Sequence, residues 1–166
     1  MADKQTTLIT NLNANPPTLM NPPLGGTVQK VWASLTTDTV HDAADVLRFF
    51  RVHSSLTYVA HRVATADIGG ATSVLDVGLY LADSGAVLDD ACFAAALAIS
   101  AALDTGYVVT PAGAASAQTV ETMFQLGGGT AANDDQWYDV AGTIDTLATD
   151  AAGLALIEMW YIDPAA

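Results

Sequence analysis

One cysteine, Cys92, is all the thiol chemistry this chain carries, so an internal disulfide framework and a multi-thiolate metal site are both excluded. With nothing basic beside it, Cys92 reads as a small buried hydrophobe and not as a nucleophile. Cations are also scarce: 5 Lys plus Arg stand against 18 Asp plus Glu, a formal net charge of −13. A chain so charged repels a polyphosphate backbone, which argues against nucleic acid as a partner. The three arginines, Arg48, Arg51 and Arg62, have Asp42, Asp45 and Asp67 around them, so they are expected to form local pairs and not a basic groove. No apolar run reaches the ~20 residues that cross a bilayer. The longest alanine-rich stretch is ACFAAALAISAAL at 91–103, and no membrane contact is expected. The opening MADKQTTLITNLNANPP lacks the apolar core of a secretory signal, so export is not expected either.

What is present is a chain of 166 residues, 51% apolar, much of it alanine, with 14% charged. That length suits one domain burying roughly two thirds of its unfolded surface, under a coat more polar than ionic. Residues 1–26 differ from the rest. Pro16, Pro17, Pro22, Pro23, Gly25 and Gly26 forbid a helix or a central strand there, so the segment is expected to run extended as an arm. Leu8, Ile9, Leu12, Leu19, Met20 and Leu24 give it more apolar content than a solvated linker needs. These six are the candidate contact residues toward a surface, the chain's own or a neighbour's, and 27–166 is expected to be the folded domain.

From residue 27 the signal is period two bounded by turn residues. Strands are expected over 28–37, 45–53, 56–65, 73–82, 118–126, 137–147 and 154–163. The clearest sets Leu75, Val77, Leu79 and Leu81 against Asp76, Gly78 and Tyr80. After it, Asp89 and Asp90 stand where a helix N-cap and first turn place acids, and Phe93/Leu97 and Ile99/Leu103 are spaced by four. One or two helical turns followed by an extended piece are expected there, with an eighth strand as the alternative. Strands without βαβ alternation imply an all-β sandwich of about eight strands, jelly-roll-like or a related Greek key, with one short helix. Loops 104–117 and 127–136 are expected at its ends.

Candidate chemistry is thin. His41, His53 and His61 fall on different pieces without metal-ligand spacing, although His53 and His61 are expected to face one sheet across Ser54-Ser55. Asp83, Asp89, Asp90, Asp134 and Asp135 suggest a glycosidase pair, which needs carboxylates about 5–10 Å apart, but turn and capping roles account for them. AANDDQW lacks the twelve-residue calcium loop, the serines lack a G-x-S-x-G elbow, and LGGGT is neither a phosphate loop nor a dinucleotide turn. Trp32, Trp137, Trp160, Tyr138 and Tyr161 read as core or subunit contact, with a sugar-binding face as the alternative. No catalytic residue, metal ligand or cofactor site is assigned, and no enzyme is expected.

Three stretches in order carry a resemblance: DVLRFFRV at Asp45–Val52, LDVG at Leu75–Gly78, and DDACF at Asp89–Phe93. They resemble a pattern D-V-[IL]-R-x-x-R-[IV], L-D-V-G and D-x-D-x-F of tailed-phage capsid decoration, or cement, proteins, with Asp90 displaced by one position from the second acid. The likeness covers roughly residues 39–163. It implies a β-sandwich on the outer surface of a virion capsid, made in the host cytoplasm and commonly a homotrimer. Its partner is the major capsid protein, whose neighbouring capsomers it cements. It also implies that the acidic turn is scaffold. The competing expectations are a jelly-roll module of a fibre or cell surface that binds glycans through Trp137, Tyr138 or loop 127–136, and another head-tail virion component.

Overall fold

Alternating β-branched and aromatic residues, interrupted by short Gly, Ser and Asp turns, form the strands. The computed structural model describes residues 27–37, 43–109, 121–129, 135–146 and 151–163. Within them run β1 (Val28–Thr37), β2 (Val46–His53), β3 (Thr57–Thr65), β4 (Val74–Leu81), β5 (Val87–Ala98), β6 (Leu103–Asp104), α1 (Met123–Leu126), β7 (Trp137–Thr146) and β8 (Gly153–Ile162). Two four-stranded sheets result, β1-β8-β3-β6 and β2-β7-β4-β5, and every neighbouring pair is antiparallel. The pairings nest: β1 with β8, β2 with β7, β3 with β6, β4 with β5. A long antiparallel ribbon rolled on itself gives this order, which is that of a jelly roll. The described residues therefore form the expected all-β sandwich of eight strands with one short helix, although the helix lies elsewhere than expected.

The core is the space between the sheets. Leu75, Val77 and Leu79 of β4, Val140 and Ile144 of β7, and Val63 of β3 are fully buried, with Ile157 and Met159 of β8 against them. Each large aliphatic side chain so placed contributes about 1.5–3 kcal/mol of apolar burial. Cys92 is also buried, and burial pushes its thiol up. It packs as a hydrophobe.

Three expectations are corrected. Residues 91–103 hold no helix: β5 runs through Val87–Ala98 and pairs with β4. Three register shifts against β4 hide its period. Leu75↔Leu97 is followed by Val77↔Ala94, with Ala96 at φ 51, and then by Leu79↔Asp89. Two residues of β4 thus span five of β5, and the surplus forms a wide bulge over Gly78, whose missing Cβ would lie 2.0 Å from the Asp89 carbonyl oxygen. The acidic pair sits in that bulge and not at a helix start, with Asp89 Oδ1 accepting from Ala91 N–H at 3.0 Å.

Second, the strand expected over 118–126 is α1 where it is described. Thr122 Oγ1 accepts from Gln125 N–H at 3.3 Å while Gln125 Oε1 accepts from Thr122 N–H at 2.9 Å, a capping box that overrides the apparent alternation. Met123 and Leu126, three apart on one helix face, close one end of the core. Third, His53 and His61 face different sheets, because the Ser54-Ser55 turn carries the chain from β2 in one to β3 in the other. The arm, residues 1–26, lies outside the described residues.

Candidate interaction surfaces

Antiparallel register decides which outward side chains meet on the sheet β1-β8-β3-β6. Lys30 is opposite Trp160, and Trp32 is opposite Glu158, which is in turn opposite Arg62. An ion chain crosses the face from these positions. Lys30 Nζ donates to Glu158 Oε1 at 2.7 Å, Arg62 Nη1 to Glu158 Oε2 at 3.2 Å, and Arg62 Nε and Nη2 to the Asp104 carboxylate at 2.9 and 2.6 Å. The bonds from Lys30 and Arg62 hold Glu158 below the usual carboxylate range although burial opposes them. The Arg62 fork, helped by Gly106 N–H, holds Asp104 well below it. Beside the chain, Lys30 lies 5.0 Å from the Trp160 ring centroid, and Tyr107 meets that ring edge-on at 4.9 Å. Trp32 and Tyr107 are 61% and 68% exposed, so they form the accessible aromatic part of this face.

The other outer face has its own pairs. Arg48 Nη1 and Arg51 Nε donate to the two Asp139 oxygens at 2.9 and 2.8 Å. Residues three apart point to opposite sides of a regular strand, but a register shift between Arg48 and Phe50 lets both reach one carboxylate. Burial pushes the Asp139 carboxyl up, and the two guanidinium groups outweigh it, so it lies below its ordinary value. Arg48 also sits 5.3 Å from the Tyr80 ring centroid, and the Tyr80 hydroxyl bonds Thr143.

Arg48, Arg51 and Arg62 pair with Asp139, Asp104 and Glu158, acids distant in sequence that strand pairing brings near. Among the described residues, Lys30, Arg48, Arg51 and Arg62 neutralise Asp104, Asp139 and Glu158 on these two faces.

At one end of the sandwich, Trp137 is 55% exposed and divides two shallow depressions that share Arg51. The larger, about 520 Å³, is bordered by His53, Ser55, Tyr161 and Asp163. His53 packs edge-on against Trp137 at 4.9 Å, and its Nε2 lies 3.0 Å from Asp135 Oδ1. Ser55 N–H donates to His53 Nδ1 at 3.3 Å, and Ser55 Oγ lies 2.7 Å from the same nitrogen.

The other expected site residues scatter. Tyr138 is core, whereas Trp160 and Tyr161 are half-buried. Asp83 Oδ1 accepts from Ser84 N–H at 2.6 Å, a turn role like that of Asp89. His61 is buried and bonds Tyr58 Oη at 2.8 Å. Leu8, Ile9, Leu12, Leu19, Met20, Leu24, His41 and Asp134 lie outside the described residues. Among the described residues no group of three or more His, Cys, Asp or Glu is placed to hold a metal ion. No helix among them is long and apolar enough to cross a membrane. The two ion chains were not foreseen because they depend on register, which no residue pattern prints.

No family model matches the chain, and no curated protein matches it. Solved structures do. A chain in the capsid of Ralstonia phage GP4 matches with a TM-score of 0.59 at 16% identity, over 87% of this chain and 89% of that one. A chain in the cyanophage Pam1 capsid asymmetric unit matches with a TM-score of 0.54 at 15% identity, over 92% and 97% respectively. At these identities the likeness is one of fold, and it extends over nearly the whole of each chain: the described residues form an eight-stranded jelly-roll sandwich similar in fold to chains found in two phage capsids.

Proposed function

We propose that this chain is a structural virion protein that seats on the outer surface of a bacteriophage capsid and joins neighbouring capsomers. The observation that carries the reading is the near end-to-end fold likeness to chains of two phage capsids. Its outward residues agree with it: polar side chains on both sheets are spent on one another, in ion chains that brace the faces, and are not gathered around a reacting centre. On this reading the major capsid protein is the partner, and the arm, through Leu8, Ile9, Leu12, Leu19, Met20 and Leu24, supplies the apolar contact. Ordering such an arm costs entropy, which burial of its large side chains at about 1.5–3 kcal/mol each offsets. Several weak joints held by one particle-bound assembly then multiply through effective concentration.

Deletion of residues 1–26 is the test. The truncated protein should keep its melting transition and lose at least ~10-fold in occupancy on purified shells, read by co-sedimentation. Undiminished occupancy would refute the arm's role.

A second reading, saccharide recognition, is favoured by one observation: the exposed Trp137 beside the depression of about 520 Å³. Reproducible binding on a glycan array that Trp137→Ala abolishes is the result this reading expects. A blank array removes it.

A further inference from the structure

Parity along β8 decides which way the backbone of β1 faces. Ala66 N–H donates to the Leu154 carbonyl at 2.7 Å, so Leu154 and every second residue after it turn their amide groups toward β3. Ala155, Ile157, Met159 and Tyr161 then turn theirs toward β1. The far side of β3 agrees with this alternation, since His61 bonds Val108 and the Val63 carbonyl accepts from Thr105 N–H. The four β8 residues stand opposite Leu35, Ala33, Val31 and Gln29 in a register without a shift, so these pairs exchange the ladder bonds. The backbone N–H and C=O groups of Lys30, Trp32, Ser34 and Thr36 therefore point out of the sheet, along an edge on which no other strand lies among the described residues.

The other edge strands are blunted against pairing. β6 has two residues, β2 is bulged between Arg48 and Phe50, and β5 carries three register shifts. β1 has ten residues, no shift and no proline, and its one charge, Lys30, is drawn toward β8 by Glu158. On its core side Val31, Ala33 and Leu35 are only half-buried. We propose that this edge, from Lys30 to Thr36, is the docking site for an extended segment of the major capsid protein, which adds to the sheet β1-β8-β3-β6 as a fifth strand. The edge specifies the chemistry of its occupant. A row of donors and acceptors repeating every second residue is matched in full by another extended backbone, and the half-buried Val31, Ala33 and Leu35 select apolar side chains at alternate positions of it. Residues 1–26 run directly into β1, so a partner reached by that arm is also the partner nearest this edge. The inference deepens the shell-docking reading and rests on it for the source of the strand.

Amide hydrogen exchange of the full chain, free and on purified shells, reads this edge one residue at a time. In the free chain the amides of Lys30, Trp32, Ser34 and Thr36 should exchange fast, and those of Val31, Ala33 and Leu35 slowly. On shells the first four should slow by at least ~10-fold, which erases the alternation. Ser34→Pro removes an outward donor and leaves the bonds to β8 in place, so it should keep the parent melting transition. Its occupancy on shells, read by co-sedimentation, should fall by at least ~10-fold, while Ser34→Ala coats them as the parent does. If Ser34→Pro melts early, the exchange pattern gives the result. Slow exchange of the four amides in the free chain would mean that the edge is already covered, by this chain or by a second copy, and overturns the proposal. A folded Ser34→Pro that coats shells undiminished overturns it as well. Coated shells on which the four amides still exchange fast refute this inference alone, whereas shells that stay bare refute the functional reading and the inference with it.

Discussion

Alanine at Gly78 is expected to destabilise the sandwich by about 3 kcal/mol, at the upper end of what overpacking costs. The added Cβ would lie 2.0 Å from the Asp89 carbonyl oxygen and 2.6 Å from Asp90 Cα, both backbone atoms of the β5 bulge. Neither can rotate away, so β5 must leave its place against β4. Gly142→Ala is the contrast, because there the nearest atom, at 2.9 Å, is Cδ1 of the Leu75 side chain, which can shift. Its cost should be about 1 kcal/mol. Equilibrium urea unfolding of both variants checks the pair, and equal small losses would mean that the bulge does not press on Gly78.

Stability should also fall as the solution is acidified from about pH 6.5 to about pH 4, through one side chain, His61. The Tyr58 hydroxyl donates to the Val108 carbonyl at 2.7 Å, so the bond of 2.8 Å between Tyr58 Oη and His61 Nδ1 takes its proton from the imidazole. That leaves Nε2 unprotonated, buried beside Phe93 and without a hydrogen-bond partner. Protonation there would create a buried cation with nothing to accept its proton, and burial accordingly lowers the pKa to about 4. Between that value and the unfolded ~6.5 the unfolded chain binds more protons than the folded one, so stability is complete above the window and is lost as pH falls through it. The shift corresponds to about 3 kcal/mol.

The paired acids act in a lower range. The pKa values of Asp104, Asp139 and Glu158 are depressed, so their contribution is present above the ordinary carboxylate range and is lost only as pH falls below it. His61→Leu should therefore flatten the stability profile between about pH 6.5 and about pH 4 and leave the steeper acid limb in place. A slope in that window unchanged by the substitution would sink the assignment.

Six strands and the sandwich were legible in the sequence because each is an apolar, β-branched or aromatic run bounded by turn residues, most plainly where Leu75, Val77 and Leu79 alternate inward. β5 was not, since its bulges add residues and break the period on which the reading depends. Its alanines and its spacing of Phe93 to Leu97 then imitate a helix, but pairing with β4 wins over local propensity. At α1 the reverse occurred: Val120, Thr122, Phe124 and Leu126 alternate like a strand, while the deciding signal was the reciprocal bonding of Thr122 with Gln125. The surfaces were the least legible. Arg48 and Arg51 share Asp139 only because a bulge intervenes, and Arg62 reaches Glu158 across a strand pair separated by 96 residues in sequence. Such contacts belong to register, which composition and spacing do not encode.

The most direct measurement is an image reconstruction of purified capsid shells before and after saturation with the protein. The account predicts discrete added mass on the outer surface, with each unit accommodating the sandwich and bridging adjacent capsomers. Shells identical before and after saturation, or added mass confined to the tail, would contradict it.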